Sequence, residues 1–390
     1  MTHSENTNLV TESMQILLTN GLKGMEAVFS LLLNEAMKIE RSGALKADPW
    51  ERTEDRKGYA NGFKPKRLNT RLGTLDLNIP QVRGETSFYP SALEQGQRSE
   101  RALKLSLAEM YIQGVSTRKV TQIMETLCGT QVSSSQVSRA TVLLDDELEK
   151  WRQRPLAEFP YLILDARYEK VRRDGAVRSC ALLIATGVDT EGKRSILGVS
   201  VSLSEAEIHW RDFLRSLKKR GLTGVEMITS DDHEGLKSAL KTCFTGVPWQ
   251  RCQVHLQRNA AAYVPKKEMR GEVAQDIRDI FNAPSAKEAD RLLEITVDKY
   301  ESKASKLAAW MIDNIPEGLT VFELPKNHQR RLRTSNMVEN INKQIRRRTR
   351  VASLFPNEAS LLRLASAILI EISEDWETGK HYLKMPLCQN

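Results

Sequence analysis

Hydrophobic residues recur at helical spacing through the start of the chain. Between residues 9 and 39 they form a wide apolar stripe that includes Leu17, Leu22, Met25, Phe29 and Leu32. This pattern predicts a helix. So wide a stripe suits burial against a second copy of the chain, and packing within its own domain is the alternative. We expect a subunit contact here.

A compact helical module is predicted between residues 106 and 154. Ser116 can cap one helix and Ser133 the next. The first of these helices has apolar residues at helical spacing, namely Val120, Ile123, Met124 and Leu127. The second carries the polar residues Gln136, Ser138 and Arg139. Two helices joined by a short break are typical of a helix-turn-helix DNA-binding domain, although plain helical bundles share the pattern.

The period changes beyond Pro160, where short apolar runs predict strands. Strands are predicted at residues 161–164, 179–185, 195–202, 225–230 and 249–255, with helices at 205–220 and 233–244. This alternation predicts an α/β fold with a mixed sheet. Residues 256–328 are charged and helical in pattern, and they are predicted to be an all-α insertion.

A loose basic segment that contains glycine lies between the N-terminal helix and the helical module. Its residues include Lys57, Gly62, Lys64, Lys66 and Arg67. It leads into residues 75–80, which alternate like a short strand. Such a segment can follow a phosphate backbone or can be a solvated loop, and the pattern leaves both open.

Composition restricts the class of protein more than its function. The chain has 390 residues, 40% of them hydrophobic and 28% charged, with a formal net charge of +8. This is a soluble composition with a weak preference for a polyanionic partner. Five scattered cysteines argue against a disulfide framework and for a reducing compartment. The N-terminus lacks a signal-peptide pattern, and residues 361–372 are too short to span a membrane. We therefore expect a cytoplasmic protein.

Three acids stand out by their surroundings. Asp165 and Asp231 each follow an apolar run that predicts a strand, and Glu339 is the one acid among eight basic residues between His328 and Arg350. Each acid also has an ordinary explanation. Asp165 and Asp231 could form turns or cap helices, and Glu339 could pair with Lys343 on a solvated helix face. Together they suggest one site for two divalent cations, Mg²⁺ or Mn²⁺, which phosphodiester cleavage uses. Neighbouring arginines would hold the DNA strand.

Several ordered motifs resemble the Mutator-type transposases of bacterial insertion sequences. The matching stretches are residues 79–84 (IPQVRG), 161–166 (YLILDA), 230–237 (SDDHEGLK), 249–259 (WQRCQVHLQRN) and 332–336 (LRTSN), the last ahead of Glu339. The resemblance covers nearly the whole chain. It implies a ribonuclease H-like catalytic core with Asp165, Asp231 and Glu339 as its catalytic and metal-binding triad. Asp232 is a rival for the second position, which we assign to Asp231.

The resemblance implies a DNA transposase that binds terminal inverted repeats, cleaves strands and joins them to target DNA. The predicted DNA contacts are Lys64, Lys66, Arg67, Arg118, Gln136, Arg139, Arg330, Arg331, Arg333, Lys343, Arg346, Arg347 and Arg348. His233, Cys252 and His255 are candidates for support of the active site. Cys252 and His255 could also begin a zinc site, but no second pair with suitable spacing is nearby.

Holding two DNA ends together calls for at least a homodimer, and no ATP-binding loop pattern is present. The alternatives are a ribonuclease H-like nuclease without strand transfer and a DNA-binding regulator. The predicted regions are an oligomerisation helix (1–45), a basic DNA-binding segment (46–100), a helix-turn-helix domain (101–154), a catalytic core in two parts (155–255 and 329–390) and the helical insertion (256–328).

Overall fold

The computed structural model describes residues 2–84, 87–113, 115–128, 131–352 and 354–385. Its internal contacts divide the chain into two compact units, Met1–Leu144 and Asp145–Asn390. Each unit has its own hydrophobic core, and each is described separately below.

The first unit begins with two helices instead of the single predicted one. Helix α1 (Thr2–Asn20) and helix α2 (Met25–Leu45) are separated by a 3-10 turn over Gly21–Gly24. The break follows from Gly21, whose φ of 57° is left-handed and incompatible with a continuous right-handed helix.

Helix α2 packs on a two-stranded antiparallel sheet made of β1 (Tyr59–Thr70) and β2 (Gly73–Arg83). The Asn34 side chain bonds to the backbone of Asp76 and Asn78 on β2. The predicted strand at residues 75–80 is therefore present. The basic segment before it was predicted to be loose, and this was wrong: most of it forms β1, because the backbone of β2 supplies its ladder partners.

The helical module contains α3 (Arg101–Ile112), α4 (Thr117–Cys128) and α5 (Ser134–Ala140). Both predicted caps are present: Ser116 Oγ accepts from the Lys119 amide, and Ser133 forms a capping box with Gln136. The next helix, α6 (Asp145–Arg152), was predicted to end this module at residue 154, but it belongs to the second unit. Its Asp145 pairs with Arg363 at 2.6 Å, which explains the difference.

The second unit is built on a mixed five-stranded sheet, so the predicted α/β class is confirmed. Its strands are β3 (Tyr161–Arg173), β4 (Ala176–Val188), β5 (Arg194–Ser202), β6 (Met227–Ser230) and β7 (Trp249–Arg251), in the order β5-β4-β3-β6-β7. Strands β5, β4 and β3 are antiparallel, whereas β6 and β7 run parallel to β3. Helices α7 (Glu207–Lys219) and α8 (Glu234–Cys243) join the core that lies against one face.

Two predicted strand ends were wrong. Strand β3 continues through Asp165 to Arg173, because its antiparallel pairing with β4 extends that far, while its parallel pairing with β6 stops at Ile163. Strand β7 ends at Arg251, because β6 offers it only three partner residues. His255 therefore lies on helix α9 (Gln253–Ala260) and not on a strand.

The predicted insertion is helical. Helix α9 is followed by α10 (Arg270–Phe281), α11 (Ala286–Glu301) and α12 (Ser305–Asn314), which share one apolar core. The chain then forms α13 (Lys326–Leu332), α14 (Asn336–Ala352) and α15 (Glu358–Thr378). On α14 the apolar residues Val338, Ile341 and Ile345 recur at helical spacing and are fully buried, and α15 packs on β5.

One stretch of the described chain, Asn8–Leu45, is long and apolar enough by length and composition to cross a membrane. The sequence pattern had pointed to residues 361–372 as the most apolar stretch. The helix break at Gly21 interrupts Asn8–Leu45, and α2 within it packs on β2. A single stretch of this length and composition is weak evidence for a membrane contact.

Candidate active site

Three acids from distant parts of the sequence lie around one imidazole. His255 Nδ1 is 3.7 Å from Asp231 Oδ1, and His255 Nε2 is 3.7 Å from Glu339 Oε1. Asp165 is close enough to His255 and Asp231 for both charges to affect its pKa. The structure thus brings the predicted triad together, with His255 among its members.

The sheet explains why Asp165 and Asp231 meet. Strands β3 and β6 are parallel neighbours, with Ile163 opposite Thr229, so the residues that follow emerge at the same edge. Asp231 comes directly after Ser230, the last residue of β6. Asp165 stands two residues beyond the last paired residue of β3. The two carboxylates are therefore neighbours by sheet register.

Helix α14 brings Glu339 to the same edge. Thr229 Oγ1 donates to the Leu332 carbonyl at 2.7 Å, and the Gln253 amide donates to the Arg333 carbonyl at 3.1 Å. These bonds tie the segment before α14 to β6 and α9. Ser335, just before α14, contacts α9 as well: its hydroxyl donates to Sγ of Cys252, the N-cap residue of that helix, at 3.3 Å.

Burial and charge perturb the pKa values of the site. Burial raises the pKa of Asp165 from 3.8 to about 6, although the nearby His255 charge and a backbone hydrogen bond oppose the increase. The hydrogen bond to Cys252 raises the pKa of His255 to about 9, against burial and with help from Asp231 and Asp165. His255 is therefore a cation at neutral pH.

Cys252 is completely buried and serves as a polar partner. Burial raises the pKa of its thiol, but hydrogen bonds with His255 and Ser335 outweigh burial and lower the pKa overall. Its sulfur also accepts from the Ser335 amide at 3.3 Å. Cys252 thus links the segment before α14 to the surroundings of His255, and both residues stay candidates for support of the active site.

The donor atoms suit a hard divalent cation. Three carboxylates supply the oxygen ligands that Mg²⁺ and Mn²⁺ prefer, and Glu339 Oε1 is shielded from water and accepts no hydrogen bond from the described residues. Arg258 Nη1 lies 3.2 Å from that oxygen. As the described side chains stand, no three His, Cys, Asp or Glu residues surround a point that could hold an ion. At present His255 and Arg258 lie beside the carboxylates and balance part of their negative charge. A bound cation would take over part of that role.

The neighbouring acid Asp232 has different partners. It is 3.0 Å from Arg251 and 3.1 Å from Lys237, and Glu317 lies 2.9 Å from each of these cations. Arg251 is almost fully buried. Asp232 therefore belongs to a structural ion-pair network, whereas Asp231 faces His255. This geometry favours Asp231 as the site residue.

His233 stands at the N-cap position of α8, but its side chain makes no capping hydrogen bond, and its Nδ1 is buried without a partner among the described residues.

Three further residues of the site were not predicted from the sequence: Arg258, Arg167 and Asn342. Asn342 Nδ2 donates to Asp165 Oδ2 at 2.7 Å. Its position one helical turn after Glu339 was the only available signal.

Sequence comparison identifies the relatives of this chain. The transposase model of the Mutator family matches residues 1–379. The transposase for insertion sequence element IS406 of Burkholderia multivorans is 54% identical over 97% of this chain and 97% of its own length. The transposases for ISRM5 of Rhizobium meliloti and for IS256 in Tn4001 of Staphylococcus aureus are 42% and 37% identical, over 99% and 94% of this chain and 96% and 95% of their own lengths.

The chain belongs to the Mutator family of transposases. The predicted family is therefore confirmed, and with it the broad class of enzyme, one that cleaves and transfers DNA. The match spans both units, so the first unit and the helical insertion are parts of the family pattern as well.

The predicted DNA contacts of this family member fall into two groups. Some have partners within the chain: Lys66 binds Tyr89 Oη, Arg67 pairs with Asp76, Gln136 completes the α5 capping box, Arg333 binds Asn282 Oδ1, and Arg348 pairs with Glu371. The others are exposed: Lys64, Arg118, Arg139, Arg330, Arg331, Lys343, Arg346 and Arg347.

Two polar cavities adjoin the start of α14. One, of about 430 Å³, is lined by residues that include Lys326, Arg330 and Arg333. The other, of about 380 Å³, is lined by Arg330, Arg331, Thr334, Asn336 and Tyr382. Arg330 lines both. The two cavities therefore share a basic lining from α13 and its end, just before the helix that carries Glu339.

Proposed function

We propose that this chain is an insertion-sequence transposase that binds the terminal inverted repeats of its element. In this proposal it cleaves and transfers DNA strands at Asp165, Asp231 and Glu339. The observation that carries the proposal is the convergence of these acids, from a strand, a strand end and a helix, around His255. The related proteins named above are themselves transposases for insertion sequences.

The sheet order and the positions of the acids support a ribonuclease H-like core. An antiparallel trio followed by two parallel strands places Asp165 on the central strand and Asp231 beside it. The helices between β7 and α14 would be the insertion. In this reading residues 155–255 and 329–390 form one catalytic core.

The three carboxylates would hold Mg²⁺ or Mn²⁺, and two ions are expected. When bound, they would activate the attacking oxygen and stabilise the leaving oxygen of a phosphodiester. Water would attack first and release a 3′-hydroxyl, which would then attack a phosphodiester of the target DNA. In this second step one phosphodiester bond forms as another breaks, so strand joining needs no ATP.

The residues of the chain bind and orient the DNA. Arg330, Arg331 and Arg346 are exposed near or on α14 and can contact phosphates. In the first unit, exposed Arg118 and Arg139 on α4 and α5 suit the proposed helix-turn-helix contact with the repeats.

A homodimer would hold the two DNA ends. Leu18 and Leu22 on the N-terminal helical pair are 88% and 86% exposed, and a second copy would cover them. The protein would act on nucleoid DNA in the cytoplasm.

The test is a reaction in vitro with the terminal DNA of the element, with and without Mg²⁺. Wild type should cleave and join strands only with metal, and Asp165→Asn should do neither. Equal activity in this variant would remove Asp165 from the mechanism. Cleavage without joined product would indicate a nuclease.

A second variant distinguishes a regulator. Glu339→Gln keeps the shape of the side chain and should bind terminal DNA as wild type does while losing cleavage. Tight, specific binding by wild type without any metal-dependent chemistry would support the regulator.

A further inference from the structure

One face of the outer half of β3 is polar, and it faces helix α14. Asp165, Arg167 and Glu169 alternate along the strand and therefore point to the same side. Each contacts α14: Asp165 Oδ2 accepts from Asn342 Nδ2 at 2.7 Å, Arg167 Nη1 donates to the Asn342 carbonyl at 2.7 Å, and Glu169 Oε1 accepts from Thr349 Oγ1 at 3.0 Å. Strand and helix are thus joined by polar contacts over two turns.

These contacts are well shielded. The side chains of Arg167 and Glu169 are 17% and 12% exposed and pair with each other at 2.7 Å. Hydrogen bonds to charged groups in such surroundings are stronger than exposed ones. The position of α14 on β3 is therefore set by specific contacts as well as by its buried apolar residues.

Asn342 is the residue common to two of these contacts. Its amide nitrogen binds Asp165, while its amide oxygen is buried and accepts no hydrogen bond in the described chain. The orientation of the amide is therefore set by the Asp165 carboxylate. Asn342 also stands one turn after Glu339 on the same helix, so a contact that fixes Asn342 fixes the direction of Glu339 too.

We propose that Asn342 is a positioning residue of the active site: it orients the Asp165 carboxylate and fixes the Glu339 helix on β3, so that both acids face one divalent cation. The inference rests on the proposed function. Residues that hydrogen-bond a metal ligand typically contribute about 10–100-fold to metal affinity or activity. Asn342 should contribute within that range.

The test compares Asn342→Leu with Gln344→Ala, a matched change at an exposed amide on the same helix. Leucine has nearly the shape of asparagine but donates no hydrogen bond. Binding of Mn²⁺ to the DNA-free protein is followed by electron paramagnetic resonance, cleavage is measured against Mn²⁺ concentration, and thermal unfolding is recorded in EDTA. We expect Asn342→Leu to bind Mn²⁺ at least 10-fold more weakly. Gln344→Ala should match wild type.

Asn342→Ser is the second variant, for the case that leucine beside the carboxylate prevents folding. Serine is too short to reach Asp165, so the same loss of affinity is expected in a folded protein. Wild-type Mn²⁺ affinity in a folded Asn342 variant would overturn the positioning role. If wild type bound no Mn²⁺, or bound it only as well as Asp165→Asn does, the proposed metal site itself would be wrong. That outcome differs from wild-type affinity in an Asn342 variant, so failure of the proposed function and failure of the positioning role are distinguishable.

Discussion

Replacing Asp165 by asparagine should stabilise the metal-free protein at neutral pH. Burial raises the pKa of Asp165 from 3.8 to about 6, so the folded state disfavours its charged form. A shift of about two pKa units corresponds to about 3 kcal/mol, since one unit is worth about 1.4 kcal/mol. Asparagine fills the same space without charge, and its side-chain oxygen can still accept from Asn342 Nδ2. The variant should regain up to about 3 kcal/mol of unfolding free energy.

The stability gained by Asp165→Asn should depend on pH, because only the ionised carboxyl destabilises the folded protein. Well below pH 3.8 the carboxyl is protonated in both states, and it costs the folded protein nothing. As pH rises through the folded pKa of about 6, the unfolded chain has already lost its proton, and the cost of the buried charge reaches its full value. The advantage of Asp165→Asn should therefore be largest above pH 7 and should shrink steadily as the pH falls toward 5.

The assay is urea unfolding in EDTA at several pH values, with Asp313→Asn as the control. Asp313 is exposed on α12, and its change should stay within about 0.5 kcal/mol. An Asp165→Asn protein that is less stable than wild type at pH 7.5 would refute the reasoning. So would a gain of the same size at every pH, since that gain could not come from ionisation.

Three further predictions concern other parts of the chain. Arg251→Met should lower the unfolding free energy by about 3 kcal/mol in urea titrations, because Asp232 and Glu317 lose a buried partner; a loss below about 1 kcal/mol would contradict this. Arg330→Ala should reduce the slope of log affinity against log salt for terminal DNA by about 1, whereas an unchanged slope would exclude a phosphate contact. Leu18→Glu should dissociate a wild-type dimer in sedimentation experiments, and a wild type that is already monomeric would contradict that interface.

The sequence predicted features that depend on local pattern. The caps at Ser116 and Ser133 are present because capping needs only neighbouring residues. The buried face of α14 follows from helical spacing alone. Asp165 and Asp231 could be predicted to share a site because each follows an apolar run, whereas the parallel register that makes them neighbours is seen only in the structure. The family motifs supplied Glu339, which in isolation resembled half of a surface ion pair.

Features that depend on distant partners could not be predicted. Strand β1 was interpreted as a loose basic loop because its own residues are polar, and its order comes from pairing with β2. The pairing of Cys252 with Ser335 joins residues far apart in sequence, and a lone Cys-x-x-His pattern does not reveal it. Asp232 and Asp231 differ only in what they contact, so adjacency could not separate them without the Arg251 and Lys237 partners.

The wrong end predicted for β3 has a physical explanation that connects fold and site. The apolar run stops at Leu164, and the polar residues Asp165, Arg167 and Glu169 follow, a pattern that ordinarily marks the end of a buried strand. The strand nevertheless continues, because its polar face contacts α14 while β4 supplies its backbone partners. The polar residues at every second position led to the wrong strand end. The same residues form the surface of β3 that contacts the Glu339 helix. The acid that we propose as a metal ligand and the contacts that join its strand to the Glu339 helix lie on one face of β3, at two-residue spacing.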